Sequence, residues 1–479
     1  MTYVYAFDHP FDLPLTAVAA AIGGKAANIG VMANLLGLPV PPGFVISTDA
    51  CREYLATGWP AGLDDELRSH VAAIEDQVGR TFGGSGDPLL VSVRSGAPVS
   101  MPGMMDTILN LGINDATAAG LAEATGDRGF ADSCRGRFVA TYRDIVGVDD
   151  VPEDPWQQLR GAVEAVFRSW HSDRARSYRE REGIPEDLGT GVIIQTMVFG
   201  NRSADSGTGV IFTRNPATGE AALYGDVLFD AQGEDVVAGT HATEPIAVLD
   251  ERRPEIAAEL RSYATTLEHH YRDVCDIEFT IEQGRLWMLQ TRIGKRSPQA
   301  ALRIALEMAE DEAFPLSRAE AVERCMRYLA DPPMVAAARD GDVRPVATGL
   351  GASPGVATGE IATTPDAAVA MADAGRTVIL VRSETSPDDV HGMAKAAGIL
   401  TSTGGLASHA AVVARGWGIP AVVGAASVSV SDGRVRVGDH DLSVGDVVTI
   451  DGSTGEVFLG VVAGGAVIAP EAAKLLAWA

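Results

Sequence analysis

Short apolar runs and helix-period stripes alternate along this chain, and together they predict a mixed α/β (α+β) fold. Residues 378–381, 398–401 and 421–423 are unbroken apolar runs. A strand covered on both faces needs no polar alternation, so each reads as a short buried strand. Residues 89–93 form another apolar, β-branched run that delivers Arg94 at its end, followed by Ser95-Gly96. Ile29, Met32, Ala33 and Leu36 recur at helical spacing directly after Gly23-Gly24-Lys25, which predicts a helix opened by a glycine turn. Asp276-Ile-Glu-Phe-Thr-Ile281 alternates polar with apolar, and a second run, 286–292, follows a glycine turn; the pair predicts a β-hairpin.

Texture divides the chain further. Residues 1–297 mix strands and helices around glycine-rich loops. Residues 298–345 are rich in Ala, Glu and Arg at helical spacing and read as a spacer. Residues 346–465 are compact and strand-rich, and 466–479 form an alanine-rich tail.

Composition narrows the partners. At 479 residues, 46% hydrophobic and 21% charged, the chain has an ordinary globular balance with room for several domains. A formal charge of −26 argues against nucleic acid or an anionic membrane surface. It leaves ATP open, because a few clustered cations suffice for a local phosphate site. Cys51, Cys134, Cys275 and Cys325 are scattered, without metal-ligand spacing, as expected of reduced thiols in a cytoplasmic protein. No basic signal segment and no apolar run of membrane-spanning length is apparent, which fits the same expectation.

The densest chemistry lies in residues 403–416. Gly404-Gly405 precedes Ser408, then His409, then an apolar helix start. Ser408 suits an N-cap, which puts His409 in the first helical turn, where free N–H groups and the dipole favour an anion. That positive environment also keeps an imidazole neutral and nucleophilic. His409 therefore reads as a nucleophile that carries phosphate. The other histidines read as structural: His269 and His270 diverge on a helix, and His241 has no clear role.

Phosphate-handling residues are expected in the first region. Gly23-Gly24-Lys25 would gather backbone N–H groups and an ammonium at a helix start. Ser100-Met-Pro-Gly-Met-Met-Asp-Thr107 is a Gly- and Pro-shaped loop whose methionines serve equally well as core filler. If Gln283-Gly284-Arg285 is a three-residue hairpin loop, Glu278 pairs opposite Gln290 and Asp276 opposite Arg292, with all four on one face. A carboxylate and an amide oxygen suit Mg²⁺ carrying ATP phosphates, and Arg292 adds charge. The alternative is a solvated polar face, and a two-residue loop would break the register. Arg382 and the turn at 384–389 either position phosphate or merely end a strand, and stay unassigned.

Taken together, residues 23–46, 91–114, 230–239, 276–296, 349–359 and 384–424 resemble the pyruvate, phosphate dikinase family, over essentially the whole chain. The resemblance implies an ATP-grasp nucleotide-binding domain followed by a swivelling β/β/α phosphohistidine domain. It implies ATP and Mg²⁺ as ligands, with Lys25 and Arg94 on the ATP phosphates. It puts Glu278 and Gln290 at the metal, Asp276 and Arg292 on further active-site positions, and His409 on the phosphorylated histidine.

The implied chemistry is autophosphorylation by ATP and transfer to inorganic phosphate, giving AMP, pyrophosphate and phosphohistidine. Family members continue into a barrel that binds phosphoenolpyruvate or pyruvate. This sequence stops near where that barrel would begin, so the acceptor barrel is expected either as a separate partner protein or in a missing part of the chain. Ala407 stands where the family often carries a regulatory threonine. The rival readings are a phosphotransferase with another small-molecule acceptor, and a phosphohistidine relay protein.

Overall fold

The computed structural model describes the chain except residues 1, 100, 102–106, 239–242, 331, 333, 337–343, 407, 432 and 463–465, and the side chains of 181, 234, 334–336 and 466–468. The mixed helix-and-sheet class is as expected. Two compact units divide it: Met1–Ser206 with Phe279–Arg292, and Gly207–Glu278 with Ile293–Ala479.

In the first unit, five strands form one antiparallel sheet. Its order is Val4–Ala6, Gly43–Ile46, Gly191–Thr196, Val91–Gly96 and Thr107–Leu111. Both faces of its middle strands are covered, and Ile46, Val93, Ile193 and Ile194 are fully buried. The helix Leu63–Val78 shows why helices pack here. Leu67, Val71 and Ile74 repeat at helical spacing, forming a buried stripe within the same core as the sheet. Each such side chain contributes about 1.5–3 kcal/mol when buried. The expected helix after Lys25 is present as Gly24–Gly30, continued by a π-turn at Val31–Leu35.

The hairpin differs from expectation. Its turn is two residues, Gln283 and Gly284, both left-handed with φ of 49° and 77°, and Arg285 already begins the second strand. Paired positive φ values give the turn whose twist matches that of the flanking strands. A two-residue loop moves the pairing beside the turn by one position, and one position of slip exchanges the faces. The expected opposition of Glu278 to Gln290 and of Asp276 to Arg292 required three loop residues, so it loses its basis.

In the second unit, the strands Val378–Arg382, Gly398–Thr401 and Ala421–Val423 run parallel inside an eight-stranded sheet. Alternation along them builds three layers. Ile379, Val381, Leu400 and Val422 face a small three-stranded sheet through Val428, Val435 and Val437. Val378, Leu380, Ile399, Ala421 and Val423 instead meet Ala410, Ala411 and Ala414 of the helix His409–Trp417. The small alanines let that helix lie close on the sheet, which fixes the position of its first residue.

Elsewhere in this unit, the helices Pro298–Glu310, Arg318–Ala330 and Pro470–Leu476 share one apolar core with Val274. Arg214 ties that bundle to its neighbours. Its guanidinium forks onto Glu268 at 3.0 and 3.1 Å and reaches Glu307 at 3.1 Å.

Candidate functional site

The expected residues fall into two groups, one in each unit. In the first, Gly23 has φ of 89°, and a Cβ there would lie 1.7 Å from the Gly96 carbonyl oxygen. Only glycine allows that approach. It brings the start of the Lys25 helix against the end of the Arg94 strand. The Gly24 N–H donates to Ala97 O at 3.0 Å, so that donor is not available to an anion, contrary to the simple picture of a free helix start.

Arg94 is half-buried and donates from Nη2 to Gln290 Oε1 at 3.1 Å. Gln290 is 4% exposed, and its amide oxygen holds the guanidinium in place. The structure thus joins Arg94 with Gln290 and sets Lys25 beside the same strand. Arg292 lies in this unit too, half-buried near the end of Arg285–Ile293. Asp276 and Glu278 belong to the second unit, the first buried and the second half-buried on Cys275–Glu282. Among the described residues, no group of three or more His, Cys, Asp or Glu side chains is gathered for a metal.

In the second unit, His409 is the first residue of its helix. Its Nδ1 lies 3.0 Å from Thr385 Oγ1. Burial lowers the affinity of the ring for a proton, and the nearby Asp389 carboxylate opposes this in part. Desolvation thus favours the neutral imidazole, in the same direction as the helix start expected from sequence.

Ser408 occupies the cap position with extended backbone, but its side chain makes no capping bond, and its buried hydroxyl has no partner among the described residues. Its carbonyl accepts from Val412 N at 3.0 Å, so the helix starts there through the backbone alone.

Sequence reasoning left Thr385 and Asp389 unassigned within the turn at 384–389. Asp389 is 4% exposed and folds the turn back on itself. Its Oδ2 accepts from Ser386 N at 2.8 Å and Ser386 Oγ at 3.3 Å, while Arg382 Nη2 lies 3.4 Å from Oδ1. The signal was present as Ser386-Pro-Asp-Asp389, an N-cap with a carboxylate three residues on. Six residues beyond His409, Arg415 is fully buried, donating to Ala352 O and Leu406 O at 3.0 and 2.6 Å. It pins the loop that leads to His409. Ala407, His241 and residues 100 and 102–106 of the methionine-rich loop lie outside the described residues.

An arginine fixed on a sheet strand beside the Lys25 helix in one unit, and a histidine of lowered proton affinity at a helix start on a β/β/α lobe in the other, point to a nucleotide-handling module joined to a histidine-bearing module. Comparison with known proteins agrees. The family model described as pyruvate phosphate dikinase, AMP/ATP-binding domain, matches residues 19–60, 59–258 and 244–313. The model described as PEP-utilising enzyme, mobile domain, matches 375–455. The chain therefore belongs to the pyruvate phosphate dikinase family.

Pyruvate, phosphate dikinase of Rhizobium meliloti (strain 1021) is 46% identical over 92% of this chain and 56% of its own length. The enzyme of that name from Clostridium symbiosum is 42% identical over the same shares, and pyruvate, phosphate dikinase 2 of Oryza sativa subsp. japonica is 44% identical over 92% and 55%. The chain spans about half the length of these curated relatives. No helix among the described residues is long and apolar enough to cross a membrane.

Proposed function

We propose that this chain is an ATP-dependent phosphotransferase that phosphorylates itself on His409. The observation that carries the reading is the ring's setting: half-buried, with its proton affinity lowered by desolvation and Nδ1 engaged by Thr385. When Nδ1–H donates to Thr385 Oγ1, the lone pair of the ring sits on Nε2, the atom that attacks.

In the first step, Nε2 bonds to the β-phosphorus of ATP. The bond from that phosphorus to the α,β-bridging oxygen breaks, and AMP leaves with the electron pair. An oxygen of inorganic phosphate then attacks the terminal phosphorus. Its bond to the β,γ-bridging oxygen breaks, pyrophosphate leaves, and phosphohistidine remains. Lys25 and Arg94 are the proposed phosphate holders, with Gln290 fixing the direction of Arg94. Asp276 and Arg292 are retained as further active-site residues on the strength of the family alone.

Glu278 and Gln290 are retained as Mg²⁺ donors on the strength of the family, not of the hairpin register; each carries a hard oxygen of the kind the ion takes. When bound, the ion would neutralise charge on the phosphates. Whether phosphohistidine then serves phosphoenolpyruvate chemistry would depend on a barrel of the family's kind acting as partner. A cytoplasmic setting is part of the proposal, in keeping with four buried free cysteines.

ATP labelled separately at the β and γ positions tests the first step. Label from both positions should appear on the protein without inorganic phosphate, and the γ label alone should leave when phosphate is added. Transfer of γ label alone in the absence of phosphate would overturn the two-step scheme.

A further inference from the structure

The turn beside His409 is built more elaborately than a strand end requires. It leaves the strand Val378–Arg382 and must present a hydroxyl to a ring on the separate helix His409–Trp417. Threonine hydroxyls rotate freely, and Oγ1 can either accept from Nδ1–H or donate to a bare Nδ1. Only the first leaves Nε2 as the nucleophile. Something must choose between them.

The geometry points to Asp389, held by Arg382, as a positioning residue for His409: its carboxylate shapes the Ser386–Asp389 turn that aims Thr385, and its charge selects the Nδ1–H form of the ring. The carboxylate grips Ser386 through both N–H and Oγ, one residue from Thr385, so the hydroxyl has little freedom to withdraw. A buried negative charge also stabilises the positive charge that the ring develops as Nε2 bonds to phosphorus. Arg382 donates to Thr363 O at 3.2 Å and pairs with the same carboxylate, which anchors the turn and tempers its charge.

The turn itself also carries the exposed carboxylates Glu384 and Asp388, on either side of Thr385 and next to Asp389. Further charged groups about this corner are Arg415 on the helix of His409 and Asp226, whose Oδ2 faces Gly405 in the preceding loop. Lys295 packs near Gly416 at the far end of that helix. Of the turn's carboxylates, Asp389 is the one that is buried.

This inference rests on the proposed role of His409, and its test is chosen to separate the two. The full chain, labelled with ¹⁵N at histidine, is titrated by NMR as wild type, Asp389→Asn and Arg382→Gln. Asparagine keeps an acceptor for Ser386 and removes the charge. In Asp389→Asn the His409 midpoint should fall by about one pH unit, and the Nδ1–H form should lose population. In Arg382→Gln the unmasked carboxylate should move the midpoint upward.

Autophosphorylation of Asp389→Asn should slow about tenfold, with its acid limb displaced to lower pH. Thr385→Ser should preserve the rate and Thr385→Val should not. A folded Asp389→Asn with unchanged midpoint and tautomer would overturn the inference. Should Asp389→Asn not fold, an Arg382→Gln midpoint that stays or falls does the same. Absence of phosphohistidine in the wild type would instead remove the parent reading, while the NMR result still decides the role of Asp389.

Discussion

The Arg94 corner and the His409 corner solve opposite electrostatic problems. Arg94 carries a permanent charge and sits half-buried on a sheet strand, where the amide oxygen of Gln290 fixes its direction without neutralising it. As the proposed nucleophile, His409 must carry no charge until it reacts, and burial lowers its proton affinity. The first corner is fastened by backbone: Gly23 lies against Gly96, inside an antiparallel sheet. The second is fastened by side chains: Thr385 on the ring, Asp389 on the turn, Arg415 on the loop. Holding an anionic substrate calls for a charge that cannot relax. Passing a phosphoryl group calls for a ring whose charge can change.

The sharpest break between the corners is removal of the nucleophile. His409→Ala should abolish the acid-labile phosphoprotein completely while leaving ATP binding intact, because no other residue is proposed to carry phosphate. Measuring nucleotide binding beside phosphoprotein yield checks both halves. A variant that still forms the species would move the chemistry elsewhere.

Arg94→Met should act on the other corner. It removes the charge and the hydrogen bond that Arg94 donates to the buried Gln290 amide oxygen. The expected loss in autophosphorylation rate is about 10²–10³-fold, the usual cost of a preorganised electrostatic contact in a transition state. ATP affinity should fall as well, which distinguishes it from His409→Ala. Equal rates in Arg94→Met and wild type would remove this corner from the site.

How much of this was legible in the sequence depended on what kind of signal each element leaves. The parallel strands of the histidine lobe could be read because full burial writes itself as an apolar run. The helix register of His409 followed from glycines and a small polar residue. The length of the hairpin turn was left as a condition, and the two-residue turn rests on Gln283 taking a left-handed conformation that glutamine seldom adopts. Thr385 could not be found from sequence, since its contact is made across 24 residues and only the folded sheet brings it to the ring. The carboxylate that shapes its turn was visible as a capping pattern, but nothing local says what a cap is for.

The pH dependence offers a smaller and more graded test. Since burial lowers the proton affinity of His409, the ring stays neutral to a lower pH than an ordinary histidine near 6.5. The acid limb of autophosphorylation should therefore fall below that value, with activity lost only as pH drops through the lowered one. The folded state binds this proton less readily than the unfolded chain, so the same group removes stability as pH falls through the ordinary histidine range. A limb at or above the ordinary value would mean that Asp389 outweighs burial.

The smallest effect is expected at Ser408, and it separates two accounts of how His409 is placed. A serine whose hydroxyl caps a helix contributes about 1 kcal/mol, lost on substitution by alanine. Here the hydroxyl is buried without a partner among the described residues, and the helix instead begins through the Ser408 carbonyl, which alanine also supplies. Ser408→Ala should then change stability by less than about 0.5 kcal/mol, and relief of an unpaired buried hydroxyl could make the variant slightly more stable. Chemical denaturation of wild type and variant, compared at equal slope, measures the difference. A loss of about 1 kcal/mol or more would show that the hydroxyl caps the helix in solution, and that the corner depends on Ser408 as well as on Thr385 and Arg415.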